Sequence, residues 1–174
     1  RPGQYVTLAL PGAHGRLVKR PYSVLSAPHE AELELFVEHV EGGELTPSLF
    51  DLHEGDDLGV RGRAAGVFAL DAAKTRHVMA CTVTGIAPVL SMLRHAAHAS
   101  GMSAPDDGTR TSETSGARGH AFLVLYGAST PDEHGPYRDE LATLTEAAGV
   151  TAVSTISRPW TAPGWIGEVG RVED

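Results

Sequence analysis

Apolar strand-like runs alternate with helical stretches after residue 73, and this alternation constrains the fold more than any other feature of the chain. The five segments are residues 77–82 (strand), 88–99 (helix), 121–126 (strand), 137–148 (helix) and 150–156 (strand). Parallel strands need helical crossovers of this kind to connect them. Residues 73–174 are therefore predicted to form an α/β domain with a doubly wound parallel sheet. Residues 100–120, rich in Gly, Ser, Thr and Asp, are predicted to be a long loop.

The first part of the chain has a different pattern, in which short strands are separated by glycine and proline turns. The predicted strands are residues 5–10, 22–25, 32–40, 58–60 and 67–70. A short helix is predicted to reach Leu52, with Thr46 as its N-cap and Pro47 as its first residue. Residues 1–72 are therefore predicted to form an antiparallel β-barrel domain, which meets the second domain near residues 70–74.

The composition narrows the classes of function. The net charge of −8 argues against a general binder of nucleic acid or of anionic membranes. No apolar run is as long as a bilayer span, no signal peptide is recognisable, and a single cysteine excludes an internal disulfide. We therefore expect a cytoplasmic protein without nucleic-acid or membrane partners. Because the chain starts at Arg1 without Met, we also expect it to be part of a longer protein.

The stretch Arg20-Pro21-Tyr22-Ser23 combines a cation, an aromatic ring and a hydroxyl group. In an extended strand Arg20 and Tyr22 share one face and Ser23 lies on the other. An Arg beside an exposed ring can hold a phosphate while the ring covers a planar ligand. On these four residues alone, an ordinary edge strand with a solvated Arg20 is the better interpretation.

A second candidate site lies between a predicted strand and the helix after it, at Thr84, Gly85 and Pro88. A strand, a tight turn and a helix with proline near its start direct backbone N–H groups and the helix dipole at an anion. Residues 126–129 and 157–158 end the next two strands, at the sheet edge where nucleotides bind in doubly wound folds. A connecting turn is an equally good interpretation of the first stretch alone.

Three further stretches carry weaker signals. Gly42 and Gly43 precede the predicted short helix and let a backbone approach closely, which suits a phosphate, although a hairpin turn is the simpler interpretation. His95 and His98 are three residues apart on a helix, but no carboxylate or cysteine completes a ligand set, so no metal site is predicted. Cys81 has apolar neighbours and is interpreted as a packing residue.

The ordered set of these motifs resembles the ferredoxin–NADP reductase family, and is most similar to its bacterial type. The motifs are Arg20-Pro21-Tyr22-Ser23, Gly43-Glu44-Leu45-Thr46, Thr84-Gly85-Ile86-Ala87-Pro88, Tyr126-Gly127 and Ser157-Arg158. The resemblance covers nearly the whole chain. It implies a flavin-binding barrel followed by a nicotinamide-nucleotide domain, with the first barrel strand and the last strand of the second domain absent from this chain.

The resemblance also implies cofactors, partners and roles. FAD and NADP(H) are the implied cofactors, with hydride transfer between nicotinamide C4 and flavin N5 and electrons passed to ferredoxin or flavodoxin. Arg20 would bind the FAD pyrophosphate, Tyr22 would lie against the isoalloxazine and Ser23 would approach N5, which makes Tyr22 and Ser23 the implied catalytic residues. The other implied contacts are Gly43, Leu45 and Thr46 for FAD, and Thr84, Gly85, Pro88, Ser157 and Arg158 for NADP(H).

Two departures from the family pattern leave alternatives open. Val83 stands where members usually have Gly, and a β-branched residue resists a positive φ. Ser129 stands where many relatives carry Arg, which weakens the expectation of NADP relative to NAD. The alternatives are an NAD(P)H-dependent reductase component of an oxygenase, a flavin reductase, and a non-catalytic nucleotide-binding module. A basic face for an acidic carrier would comprise Arg16, Lys19, Arg20, Arg61 and Arg63, which can equally serve FAD phosphates or solvent.

Overall fold

The computed structural model describes residues 1–12, 15–71, 73–99, 120–147 and 149–174, and the side chains of all of these but 146 and 147. Nearly all of the predicted 100–120 loop lies outside the described residues. The strands are β1 (Tyr5–Pro11), β2 (Leu17–Ser23), β3 (Gly59–Val60), β4 (Arg76–Thr82), β5 (Ala121–Ala128), β6 (Val150–Ile156) and β7 (Glu168–Val169). The helices are α1 (Thr46–Phe50), α2 (Ile86–Ala99) and α3 (Tyr137–Ala147). In the part of the chain so described, no helix has the length and apolar character needed to cross a bilayer.

The N-terminal strands form an antiparallel sheet with the order β2-β1-β3. β1 alternates as its sequence predicts, and its inward residues Val6 and Leu8 are 6% and 0% exposed. An isolated antiparallel bridge from Tyr5 to Ala65 continues the pairing of β1 past β3. The predicted antiparallel barrel domain is therefore confirmed.

Three strand predictions in this domain need correction. β2 begins at Leu17 rather than at residue 22, because it pairs along the whole length of β1. Residues 32–40 form no regular strand, and only Leu35 makes an isolated bridge, to Val24. Residues 67–70 are not a strand either: they have no ladder partner among the described residues, and Val67 is 96% exposed.

The starts of α1 and α2 also differ from prediction. Leu45, not Thr46, is the N-cap of α1, because the Thr46 hydroxyl is used elsewhere: Oγ1 lies 3.1 Å from both the N and the O of Val40. α2 begins at Ile86, before the predicted Pro88, and follows a 3₁₀ turn at Val83–Gly85.

The C-terminal strands form a parallel sheet with the order β4-β5-β6-β7. The alternation of strands and helices correctly predicted β4, β5 and β6, whereas the two-residue β7 is too short for a pattern and was not predicted. Both α2 and α3 pack on the same face of this sheet. The largest buried core side chains there are Tyr126, Ile86, Leu90, Met92, Leu93, Leu141, Val89 and Val124.

The two domains share one apolar core. Leu25, which follows β2, is fully buried in the cluster formed by α2, α3 and the parallel sheet. The Ser91 hydroxyl in the middle of α2 donates to the Ser26 carbonyl oxygen at 2.8 Å. The chain segment that leaves β2 is thus fixed on α2. Residue 72 is not among the described residues, so the boundary predicted there remains a prediction.

Arg94 of α2 reinforces this junction with polar contacts. Its guanidinium donates to Glu30 at 3.1 Å and Glu34 at 2.6 Å in the first domain, and to Glu140 of α3 at 2.6 and 2.8 Å. The Tyr137 hydroxyl also donates to Glu34, at 3.2 Å. The Arg94 side chain is only 19% exposed, so these ion pairs are partly shielded from solvent.

Candidate functional site

The first candidate site lies on β2. The antiparallel register places Arg20 opposite Leu8 and Tyr22 opposite Val6, so Arg20 and Tyr22 share a face and Ser23 lies on the other, as the alternation predicts. Tyr22 is half-buried, and this burial raises the pKa of its hydroxyl while the nearby Arg20 guanidinium opposes the rise. The strand therefore presents a cation and a neutral aromatic ring side by side.

Arg20 is held by contacts that a ligand can replace. One guanidinium nitrogen pairs with the Glu44 carboxylate, and another donates to the Lys19 carbonyl oxygen at 2.9 Å. The side chains of Arg20 and Glu44 are 49% and 69% exposed. An ion pair this exposed contributes little free energy, so an anion can compete for the guanidinium.

A cavity of about 500 Å³ lies beside this pair, between the turn that follows β1 and the start of α1. Its lining residues are Gly12, Arg16, Val18, Gly42, Gly43, Glu44, Pro47 and Ser48. Gly43 must be glycine here, since a Cβ would lie 2.9 Å from Thr46 Oγ1 and 3.0 Å from Val40 O. Leu45 and Thr46 are buried beneath this turn and hold it rather than line the cavity.

The second candidate site lies at the carboxyl edge of the parallel sheet. A cavity of about 360 Å³ opens where β4, β5 and β6 end. Its lining residues are Thr82, Val83, Gly127, Ala128, Ser129, Ser157, Gly170, Arg171, Val172 and Glu173. The strand ends that the sequence places at one edge therefore meet around one concave surface.

The residues predicted for the nucleotide lie at different depths around this cavity. Ser157 lines it, and Arg158 is exposed next to it, with its N–H donating to Ser129 O at 3.0 Å. Thr84 and Gly85 are half-buried in the 3₁₀ turn that begins at the lining residue Val83. Pro88 is buried inside α2 and does not line the cavity.

The segment after β7 forms a further wall of the cavity, where no site residue was predicted. Arg171 and Glu173 line it and pair with each other, with Nε and Oε1 3.0 Å apart. Val172 packs against Gly127, where a Cβ would lie 2.3 Å from Val172 Cγ2. The glycine before Arg171 and the cation itself were visible in the sequence, but their place at this edge depends on β7 pairing with β6.

Two negative results limit the chemistry of these sites. Cys81 is buried and its thiol contacts Leu125 O at 3.7 Å. Burial raises the pKa of this thiol to about 12, so it is not a nucleophile at neutral pH. Within the described ranges, no group of three or more His, Cys, Asp or Glu side chains is placed to hold a metal ion.

The chain is similar in sequence to known proteins. Residues 1–68 match the family model described as the oxidoreductase FAD-binding domain. Over 174 residues the chain is 34% identical to ferredoxin–NADP reductase B of Sorangium cellulosum, covering 98% of this chain and 62% of that protein. Over 109 residues it is 35% identical to the ferredoxin–NAD(P)+ reductase component of the naphthalene 1,2-dioxygenase system of Pseudomonas putida, covering 60% of this chain and 30% of that protein.

The fold has solved counterparts. It superposes on a ferredoxin NADP+ reductase from Neisseria gonorrhoeae, solved with bound FAD and NADP, with a TM-score of 0.70 and 26% identity, covering 98% of this chain and 61% of that one. The chain thus spans less than two thirds of the length of each of these proteins. The FAD-binding domain match, the reductase relatives and the shared fold point the same way. Residues 1–68 thus match an oxidoreductase FAD-binding domain, and the chain as a whole is similar to ferredoxin–NADP reductases in sequence and in fold.

Proposed function

We propose that the protein is an FAD-dependent oxidoreductase that transfers electrons between NADP(H) and ferredoxin or flavodoxin. The observation that carries this proposal is the way α2 connects the two candidate sites. The turn at Val83–Gly85 leads into α2, and Leu25 and Ser26, directly after the β2 motif, pack on the same helix. Hydride transfer depends on holding two rings in one geometry, so a shared rigid element between the sites supports it.

The residues of the first site fit FAD. The half-exposed Arg20 guanidinium and the tight turn at Gly43 supply a cation and closely approachable backbone beside the 500 Å³ cavity. Tyr22, on the same face as Arg20, is suited to cover the isoalloxazine ring, and Ser23 carries the hydroxyl that the resemblance assigns to N5. Bound FAD supplies hydride acceptance and one-electron transfer. The chain itself binds, orients and covers the ring.

The residues of the second site fit a nicotinamide dinucleotide. Their cavity lies at the carboxyl ends of parallel strands, where this class of sheet binds nucleotides. Ser157 lines it and the exposed Arg158 stands beside it, a hydroxyl and a cation suited to a phosphate. Thr84 and Gly85 provide the backbone at the turn where the resemblance places the nicotinamide and pyrophosphate.

The acceptor is proposed to be an acidic electron carrier that works with this protein in the cytoplasm. Five basic residues with exposed positions lie on or next to the three-stranded sheet: Arg16, Lys19, Arg20, Arg61 and Arg63. Arg61 follows β3, and its N–H donates to Thr7 O of the central strand at 2.9 Å. Lys19 and Arg20 lie on opposite faces of β2, so the five cations do not all share one face. Their concentration at one small sheet, in a chain of net charge −8, supports docking of an acidic partner at this sheet.

The absorbance spectrum of the purified full-length protein tests the proposal. We expect flavin absorbance bands in the visible range. Their absorbance should fall when NADPH reduces the flavin and return when an artificial electron acceptor is supplied. A folded full-length protein that is colourless and takes up no FAD would overturn the proposal.

A second candidate function is an NAD(P)H-dependent reductase component of an oxygenase. The 35% identity to the naphthalene dioxygenase reductase component favours it, as does Ser129, which brings no charge to the nucleotide cavity. The two functions differ in nucleotide preference and acceptor. A higher kcat/KM for NADH than for NADPH, together with no turnover of ferredoxin or flavodoxin, would select the oxygenase component.

A further inference from the structure

Val83 has a backbone conformation that a valine resists. Its φ of 43° makes it the only non-glycine residue with positive φ in the part of the chain that the structure describes. The left-handed region crowds the Cβ of every L-residue, and valine is β-branched. Val83 also lines the 360 Å³ nucleotide cavity. A contact must therefore hold this residue in place at the site.

The Tyr126 hydroxyl supplies that contact. Tyr126 is fully buried on β5, and its hydroxyl oxygen lies 3.1 Å from the Val83 carbonyl oxygen, to which it can donate. The same carbonyl accepts the Ile86 N–H, so two donors converge on it. A trans peptide directs its C=O and the next N–H to opposite sides. Holding the Val83 carbonyl toward the core thus turns the Thr84 N–H away from the core.

Tyr126 also contacts the 3₁₀ turn that follows β5. Its hydroxyl oxygen also lies 3.0 Å from the His134 carbonyl oxygen, so Val83 O and His134 O share its single proton. His134 Nε2 lies 3.1 Å from the Tyr126 carbonyl oxygen. The 3₁₀ turn that contains His134 accepts the N–H of the lining residue Ser129 through Glu133 Oε2, at 2.7 Å. One buried hydroxyl therefore contacts the 83–85 turn and also the 3₁₀ turn that binds the lining residue Ser129.

The position of Tyr126 is itself fixed. The rings of Tyr126 and His134 meet edge to face with centroids 4.6 Å apart, and His134 stacks on Trp165 at 5.6 Å. The Arg138 guanidinium lies 4.4 Å from the centre of the Trp165 ring and donates to Ile166 O at 2.7 Å. The hydroxyl thus projects from a packed aromatic stack.

We propose that Tyr126 is a positioning residue for the nicotinamide dinucleotide, whose hydroxyl holds Val83 in its left-handed conformation so that the 83–85 turn is preformed for the ligand. The proposal rests on the proposed function for this cavity. Glycine at position 83 would adopt the conformation without help, so the need for the hydroxyl should disappear when Val83 is replaced by glycine.

The test is a double-mutant cycle in the full-length protein with Tyr126→Phe, Val83→Gly and both together. Calorimetry with NADP+ and NAD+ gives Kd, and steady-state kinetics give KM and kcat. We expect Tyr126→Phe to raise Kd and KM about tenfold with kcat within about twofold. In the Val83→Gly background the Tyr126→Phe replacement should change Kd less than about twofold, because glycine does not need the hydroxyl to adopt this conformation. Tyr137→Phe is the matched control, since its buried hydroxyl contacts Glu34 and not the turn, and it should leave Kd unchanged.

The outcomes separate the two proposals. A wild-type protein that binds neither nucleotide overturns the proposed function. A wild-type protein that binds while Tyr126→Phe binds equally well overturns the role of Tyr126, as does an equal loss in both backgrounds. Should Tyr126→Phe not fold, Val83→Gly decides alone: affinity equal to or above the wild type supports the inference, and a tenfold loss overturns it.

Discussion

Arg20 keeps its guanidinium at the protein surface in an ion pair that a phosphate can displace. The neighbouring residue Lys19 is also exposed, but it points to the other face of β2. The alternation of the strand therefore places Arg20 on the same face as Tyr22 and Lys19 on the opposite face. This separation was predictable from the sequence, because it depends only on the two-residue period of a strand.

Replacing Arg20 with Ala should lower the affinity for FAD about 10- to 100-fold, because a charge-assisted phosphate contact is lost. The measurement is the Kd of FAD for flavin-depleted full-length protein, from fluorescence quenching. Lys19→Ala is the matched control and should change Kd less than about twofold. FAD binding by Arg20→Ala that equals the control would show that Arg20 does not hold the pyrophosphate.

His134 gives the protein a pH-dependent stability. The residue is fully buried, and this burial lowers the pKa of its imidazole below 6.5, although hydrogen bonds to backbone oppose the shift. Above pH 6.5 the His134 imidazole is neutral in both the folded and the unfolded state, so its protonation does not lower the free energy of unfolding. As the pH falls below 6.5 the unfolded state binds a proton that the folded state does not, so the free energy of unfolding decreases until the folded pKa is passed.

Urea denaturation between pH 7.5 and about pH 5 measures this effect. The slope of the unfolding free energy against pH should be smaller in His134→Gln than in the wild type. His53→Gln, whose side chain is 88% exposed, should retain the wild-type slope. Equal slopes in all three proteins would contradict the assignment to His134.

At the scale of elements, the long periodic segments were predicted well and the 32–40 segment was not. The segment alternates polar and apolar residues but, among the described residues, has no strand partner beyond one isolated bridge at Leu35. Glu34 faces Arg94 and Tyr137, and Phe36 packs against Tyr137 with ring centroids 4.7 Å apart. Glu34 and Phe36 thus contact helices of the other domain rather than a core beneath a strand. Sequence periodicity cannot distinguish these two situations, because it reports a buried face and not what covers it.

The Arg94 contacts join α2, α3 and this segment, and their loss should destabilise the protein. Arg94→Met should lower the free energy of unfolding by about 1–3 kcal/mol, since three partly buried carboxylates lose their cation. Chemical denaturation measures the change. Arg171→Met breaks an ion pair whose side chains are 70% and 62% exposed, and should cost less than about 1 kcal/mol. An Arg94 effect no larger than this control would mean that the junction depends on apolar packing alone.

At the scale of the whole molecule, the order of the two domains and the type of each sheet could be predicted, whereas their junction could not. Strand and helix patterns are local and visible in sequence. The packing of Leu25 on α2 joins residues distant in the chain, and no local pattern records it. The same holds for Arg171, which reaches the cavity only through the pairing of β7 with β6. The sequence motifs therefore predicted where the candidate sites lie, but not which residues distant in the chain complete their linings.

Charge reversal on the basic sheet tests the docking proposal. The double variant Lys19→Glu, Arg63→Glu should raise KM for ferredoxin about tenfold at low salt and lose most of this effect at high salt, with unchanged turnover of a small artificial acceptor. Arg76→Glu is the control, because Arg76 is exposed at the start of β4, at the amino edge of the other sheet. An equal response in the control would indicate a general effect of net charge rather than a docking face.

The buried thiol of Cys81 has a practical consequence for studying this protein. A pKa of about 12 leaves almost no thiolate at pH 7, and it is the only cysteine in the chain. Maleimide reagents should therefore leave Cys81 unmodified, so Cys81 need not be replaced. A cysteine introduced at an exposed position such as Lys19 becomes the one reactive thiol of this chain. A single fluorophore attached there can follow the approach of an electron carrier in an otherwise native sequence.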